Sequence, residues 1–196
     1  MRFIGSVLFL FSFSLINCKI DIRQLPFPKK ITNYETHNDR KNVYVRNFII
    51  SNPDLKEIEA AWKYTFSTFL QEDILLAKKF NINKDNLIEK DSISIDVKIK
   101  PTLIESRNHW WSLPFLFPFS LVWPIQFREI NYIIEVEYTI ENNDSVHSET
   151  FTLSDTLTIY FYGLTRTEVY EDFIQKTNKR VIEKCVSKIS LYLSQY

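Results

Sequence analysis

The chain has 196 residues, enough for one domain with a sizeable core and short of what two full domains need. Its 24 Lys and Arg balance its 24 Asp and Glu, which argues against a nucleic-acid binder that works through a basic field. Glycine occurs only at Gly5 and Gly163, so no glycine-rich phosphate loop, dinucleotide fingerprint or nucleophile elbow is present, whereas 16 Phe, 10 Tyr and 4 Trp make aromatic residues abundant.

The chain begins with one charge, Arg2, followed by an uncharged apolar run from Phe3 to Ile16. That run has the length of a signal-peptide core and is too short to span a bilayer, which takes about 20 residues. Residues 1–17 are therefore predicted to be a signal peptide. The segment ends in Leu15-Ile16-Asn17-Cys18, which resembles the lipobox of bacterial lipoproteins, where Cys follows an aliphatic residue at minus three and a small residue at minus one. Asn17 departs from the Gly, Ala or Ser preferred at minus one, a relaxation that resembles the lipoboxes of spirochaete lipoproteins. The resemblance implies that Leu15, Ile16 and Asn17 are the recognition residues and that the Cys18 thiol takes a diacylglyceryl group. It further implies that the signal is cut just before Cys18 and that the new amino group is acylated in turn. Two or three acyl chains, at about 0.8 kcal/mol per buried methylene, make a lasting membrane anchor. The expected location is exported and membrane-anchored, at the outer membrane. The alternative is an unmodified Cys18 beside the cleavage site of a soluble secreted protein.

The second cysteine, Cys185, falls on the apolar stripe of a predicted helix and is expected to be a buried small hydrophobe. With Cys18 held in a thioether, no intramolecular disulfide can form, and stability rests on the core. Residues 18–42 carry Pro26, Pro28 and many charges without sustained periodicity, and are predicted to be the lipidated end and a flexible tether. Removal of Arg2 with the signal leaves 23 basic and 24 acidic residues, so attachment is expected to depend on acyl chains and not on a polybasic patch.

Residues 43–196 are predicted to be a single domain. Val43–Ile50 is β-branched and aromatic and reads as a strand. Asn52 then caps a helix with Pro53 in its first position, and Leu55, Ile58, Trp62, Phe66 and Phe69 recur at helical spacing to about Asp73. Ile93, Ile95, Val97 and Ile99 alternate with polar residues, as do Ile130, Tyr132, Ile134, Val136, Tyr138 and Ile140, the pattern of half-buried strands. Asn142-Asn143-Asp144 reads as a turn, and residues 146–162 as one or two returning strands interrupted near Ser154-Asp155. A long helix from about Thr167 to Leu193 closes the chain, with Thr165 and Glu168 as a capping box. Val169, Phe173, Thr177, Val181, Cys185 and Ile189 trace its stripe, with a second row at Tyr170, Ile174 and Ile182. The predicted class is α+β, an antiparallel sheet of about four strands with two helices packed on one face. In outline this is similar to small periplasmic lipoprotein domains that assist envelope transport or assembly.

One segment, 109–127, stands apart. No residue from Trp110 to Ile125 is charged, yet Pro118 breaks any helix and the run is too short for a span. Two readings remain. Either the segment folds over the end of the sheet as a buried connection, or it projects. In the second case Phe115, Phe117 and Phe119, flanked by Trp110, Trp111 and Trp123, contact the membrane interface or an envelope protein partner.

Recognisable catalytic chemistry is sparse. His37, His109 and His147 have no metal-ligand spacing, so no metal or other cofactor is expected. His147, Asp144 and Ser148 crowd a turn, and Glu135, Glu137 and Glu141 lie along the wet side of a strand, where solvated charge is the default. The sequence points to a non-enzymatic accessory or binding protein, with no nucleic-acid partner. The alternatives are an exported enzyme whose site has no motif and a secreted protein that uses the apolar segment to oligomerise.

Overall fold

The computed structural model describes residues 21–26, 40–83, 92–107, 128–142, 145–159 and 166–195. Five strands, β1 (Lys41–Ile50), β2 (Phe80–Asn83), β3 (Ile93–Arg107), β4 (Arg128–Asn142) and β5 (Ser145–Ile159), form one sheet in the order β2-β1-β3-β4-β5. The helices are α1 (Glu59–Glu72), α2 (Ile74–Lys79) and α3 (Arg166–Leu193). The class is α+β, as the sequence suggests, but the sheet has five strands and is mixed, and three α-helices stand where two were expected. β3, β4 and β5 are antiparallel neighbours, whereas β1 runs parallel to both β2 and β3.

The parallel part was hidden because β2 is only four residues long, FNIN, too short for alternation to declare itself. A short helix precedes it. The Asp73 side chain accepts from the backbone N–H groups of Leu75 and Leu76, which starts α2 one residue after α1 has ended. The crossover from β1 through α1 and α2 supplies the length that parallel pairing requires. Asn52 is a cap as expected, with its side chain accepting from Asp54 N–H, but Pro53–Ile58 form a 3-10 turn and the α-helix begins only at Glu59.

β1 keeps its apolar residues inward by means of a bulge. Its pairing with β3 shifts between Val45 and Asn47, so Val43, Val45, Phe48 and Ile50 all enter the core although 45 and 48 differ in parity. The extra residue, Arg46, turns outward and is ion-paired with Asp96 and, at 2.7 Å, with Glu141. Inside, Phe48 stacks on Trp62 at 6.4 Å and tilts against Phe66 at 5.6 Å, joining β1 to α1.

The β3–β4–β5 meander follows the sequence closely. Every second residue of β4 from Arg128 to Ile140 is buried, and the residues between are exposed or half-exposed. β5 is one uninterrupted strand of 15 residues, without the expected break at Ser154-Asp155. The reason is visible at Asp155, whose carboxylate accepts from Thr177 Oγ1 at 2.9 Å and pairs with Arg180 at 2.6 Å on α3, so that residue holds the strand to the helix. On α3 the buried line runs through Tyr170, Ile174, Val181, Ile182, Cys185, Val186, Ile189 and Leu193. Val169, expected on the stripe, is exposed, and Phe173 is half-buried against the core. Thr165 and the turn residues Asn143 and Asp144 lie outside the described residues.

A further departure concerns the expected tether. Residues 21–26 dock on the domain: Ile22 and Leu25 pack against the core, and the carbonyls of Gln24 and Leu25 accept from Asn178 Nδ2 at 2.6 Å and Gln175 Nε2 at 2.9 Å. Apolar residues at 22 and 25 within a charged stretch are the cause.

Candidate functional site

The expected lipidation motif, Leu15, Ile16, Asn17 and Cys18, and the six aromatic residues Trp110, Trp111, Phe115, Phe117, Phe119 and Trp123 lie outside the described residues. The structure does describe the ground on both sides of each. Segment 108–127 connects β3 to β4, and its two ends are held together because Arg107 pairs directly with Arg128. Cys18 is three residues before Asp21, so the covalent chain keeps it within about 11 Å of that residue.

These two attachment points belong to one end of the domain. Asp21, Ile22 and Arg23 share a cleft of about 800 Å³ with Pro101, Thr102, Leu103 and Glu105 of β3 and with residues 52–55 and Glu57. Its lining mixes the apolar Ile22, Pro53, Leu55, Pro101 and Leu103 with the carboxylates of Asp21, Asp54, Glu57 and Glu105. Arg23 donates to both oxygens of Asp21 at 2.9 Å and holds its carboxyl below the usual carboxylate range. Asp54 and Glu57 are exposed.

Behind the cleft, the root of segment 108–127 is fixed by a buried cation. Arg128 has no exposed surface, is ion-paired with Glu105 from the neighbouring strand, and lies over the Tyr170 ring of α3 at 5.1 Å. This cluster escaped the sequence reading, although a signal was there. Extending the β4 alternation back from Ile130 by two residues puts Arg128 on the buried face. Next to it, Tyr132 donates to Asn178 Oδ1 at 3.0 Å, and Asn178 in turn holds Gln24. Burial pushes the Tyr132 phenol far above its ordinary range, opposed only in part by Asn178. Sheet, terminal helix and residues 21–26 thus share one polar network.

The opposite end of the sheet carries the other titratable group of note. Tyr138 donates to Glu149 Oε2 at 2.5 Å, Lys188 is ion-paired with the same carboxylate, and His147 stacks on Tyr192 at 4.0 Å. Lys188, followed by Tyr138, holds Glu149 below the usual range. Cys185 is buried nearby, and desolvation drives its thiol strongly upward, so it is present as a neutral thiol. His147 and Ser148 are consecutive in a strand and leave it on opposite faces; Ser148 Oγ lies 3.0 Å from Thr139 Oγ1 instead. Of the three strand glutamates, Glu135 pairs with Lys100 at 3.1 Å, Glu137 with Lys98 at 3.7 Å and Glu141 with Arg46. Among the described residues no group of three metal-ligating side chains converges, and no helix is long and apolar enough to cross a membrane.

A protein-family model matches residues 8–190. No curated protein matches the chain. Among solved structures it is similar to an uncharacterised protein, 8% identical, over 74% of this chain and 92% of that one, with a TM-score of 0.40. It is also similar to a homologue of neuraminyllactose-binding hemagglutinin from Helicobacter pylori, 12% identical, over 86% of this chain and 90% of that one, with a TM-score of 0.39.

Proposed function

The chain belongs to this uncharacterised family, and from its own residues we propose a lipid-anchored protein of the bacterial cell envelope that acts by binding, not by catalysis. Cys18 is the acylated residue, and segment 109–127 is a second contact to the membrane or to an envelope partner. One observation carries the reading: Asp21, three residues beyond Cys18, shares a cleft with the stretch of β3 from which the uncharged aromatic segment departs two residues after Glu105. Acyl anchor and aromatic segment would then act on the same side of the domain. Two such contacts restrict its orientation, which acyl chains on a long free tether would not do. The buried Arg128–Glu105 pair gives the segment a stiff base, and tryptophans at both ends of the run suit an interface between water and lipid.

Vesicle flotation tests this reading. The wild-type chain is expected to float with phospholipid vesicles, a Cys18→Ser variant to remain at the bottom, and a Phe117→Ser/Phe119→Ser variant with intact acylation to float but lose its protection from proteases at the segment. Flotation of Cys18→Ser equal to wild type contradicts the anchor. Loss of folding in the double variant contradicts an exposed segment and favours a buried connection.

A further inference from the structure

We propose that the outer edge of β5, which no described strand pairs, accepts an extended, acidic segment of a protein partner as a sixth strand. β5 is the last strand of the sheet, and its pairing with β4 runs from Asn142 opposite Ser145 to Arg128 opposite Ile159 without a register shift. Every second residue along it turns its N–H and C=O away from β4, and among the described residues no backbone group pairs with that side. Of the devices that ordinarily blunt such an edge, it carries inward-facing acids, Glu149 and Asp155, but both are already paired with cations of α3. The strand SVHSETFTLSDTLTI has no proline, no lysine and no bulge, and it is 15 residues long.

The two faces flanking this edge differ, and the difference defines the partner. On the face away from the helices, every even position from Ser148 to Thr158 is Ser or Thr, an uncharged hydroxyl row that tolerates any strand. On the helix side, Arg180, Lys184 and Lys188 recur one turn apart along α3. Arg180 meets Asp155 and Lys188 meets Glu149, both acids belonging to β5. Lys184, between them, lies over the Phe151 ring at 5.1 Å and meets no carboxylate among the described residues. A residue of an added strand level with Phe151 points to the same face, its Cβ about 5 Å away, within reach of the Lys184 ammonium. A carboxylate at that position completes the row.

A second copy of the chain fits less well. Antiparallel self-pairing about Thr152, the middle of the strand, sets Glu149 opposite Asp155 and turns the two cationic helix rows toward each other across the seam. Like charges so placed disfavour association. The chemistry favours an unlike partner with alternating β-forming residues and one central acid.

The test uses the full chain in detergent and two fluorescent seven-residue peptides. Each alternates threonine and valine around a central residue and reads the same in both directions, so parallel and antiparallel addition are both sampled. One carries glutamate at the centre and the other lysine. Fluorescence anisotropy is expected to show the glutamate peptide bound about tenfold more tightly, with Lys184→Glu reversing the order. Methylation of alternate peptide nitrogens, which leaves the protein untouched, is expected to abolish binding by removing the ladder donors. The proposal is overturned by equal affinity for both peptides, by an unreversed order in Lys184→Glu, by binding that survives methylation, by no binding at millimolar peptide, or by a chain that self-associates through β5.

Discussion

Where β3 and β4 hold the two ends of segment 108–127, Arg128 is withdrawn from water, paired with Glu105 and covered by Tyr170. At the β4–β5 hairpin end, Lys188 and Glu149 form a pair of the same charge type, but both keep about a third of their side-chain surface in water. The contrast separates two uses of one interaction. Such a pair makes a rigid, narrowly defined base, because Arg128 alone would be a charge without solvent. A half-exposed pair can exchange its partner for another ligand at little cost. The first suits a structural root for an interacting segment, and the second suits an edge at which strands come and go.

Breaking the buried pair is the strongest way to test this difference. Glu105→Ala is expected to lose about 3 kcal/mol in urea unfolding, since it strands the Arg128 charge. The volume-conserving double variant Arg128→Met/Glu105→Leu should be close to neutral in stability. A small loss in the single variant would mean that Arg128 is solvated after all. Next in size is Asn178→Ala, which leaves the buried Tyr132 hydroxyl without its acceptor and frees Gln24. It is expected to cost about 1–3 kcal/mol and to speed proteolytic cleavage near residues 21–26, a readout that a purely local packing defect does not change.

The half-exposed carboxylates near the hairpin sharpen the comparison through pH. Arg46 holds Asp96 below its ordinary value, and Lys188 does the same for Glu149. Both carboxylates bind protons more readily in the unfolded chain. Their contribution to stability is therefore complete above the ordinary carboxylate range and is lost as pH falls through the lowered folded values. Asp96→Asn should flatten that acid slope in thermal melts; an unchanged slope would remove Asp96 from the account. The smallest effect is expected on the outer face, where Lys100→Ala breaks an exposed cross-strand pair with Glu135 and should change stability by less than about 1 kcal/mol.

Strands β3 and β4 and the helix α3 were legible because their periodicities run over many residues and one face of each is buried. The parallel edge was not, since β2 offers only Phe80 and Ile82 as apolar positions and its partner β1 lies far away in sequence. The bulge at Arg46 was equally hidden, because a break in parity looks like noise until the neighbouring strand is present. The chemistry of the proposed anchor and aromatic segment is legible in the sequence, whereas the shared cleft of Asp21 and Glu105, described residues near each of them in the chain, is not. The docking of residues 21–26 depends on Gln175 and Asn178, some 150 residues away, a contact that no local reading can find. Arg128 lies on the same alternation as Ile130, but a cation at the start of a strand is ordinarily solvated, so its residue type gives no sign of burial.

Whether Cys18 carries the membrane anchor is decided by the intact mass of the detergent-extracted chain beside a Cys18→Ala variant. The wild-type chain is expected to begin at Cys18 and to carry diacylglyceryl and amide-linked acyl mass, with neither feature in the variant. A wild-type chain that begins before residue 18, or one without acyl mass, contradicts the anchor.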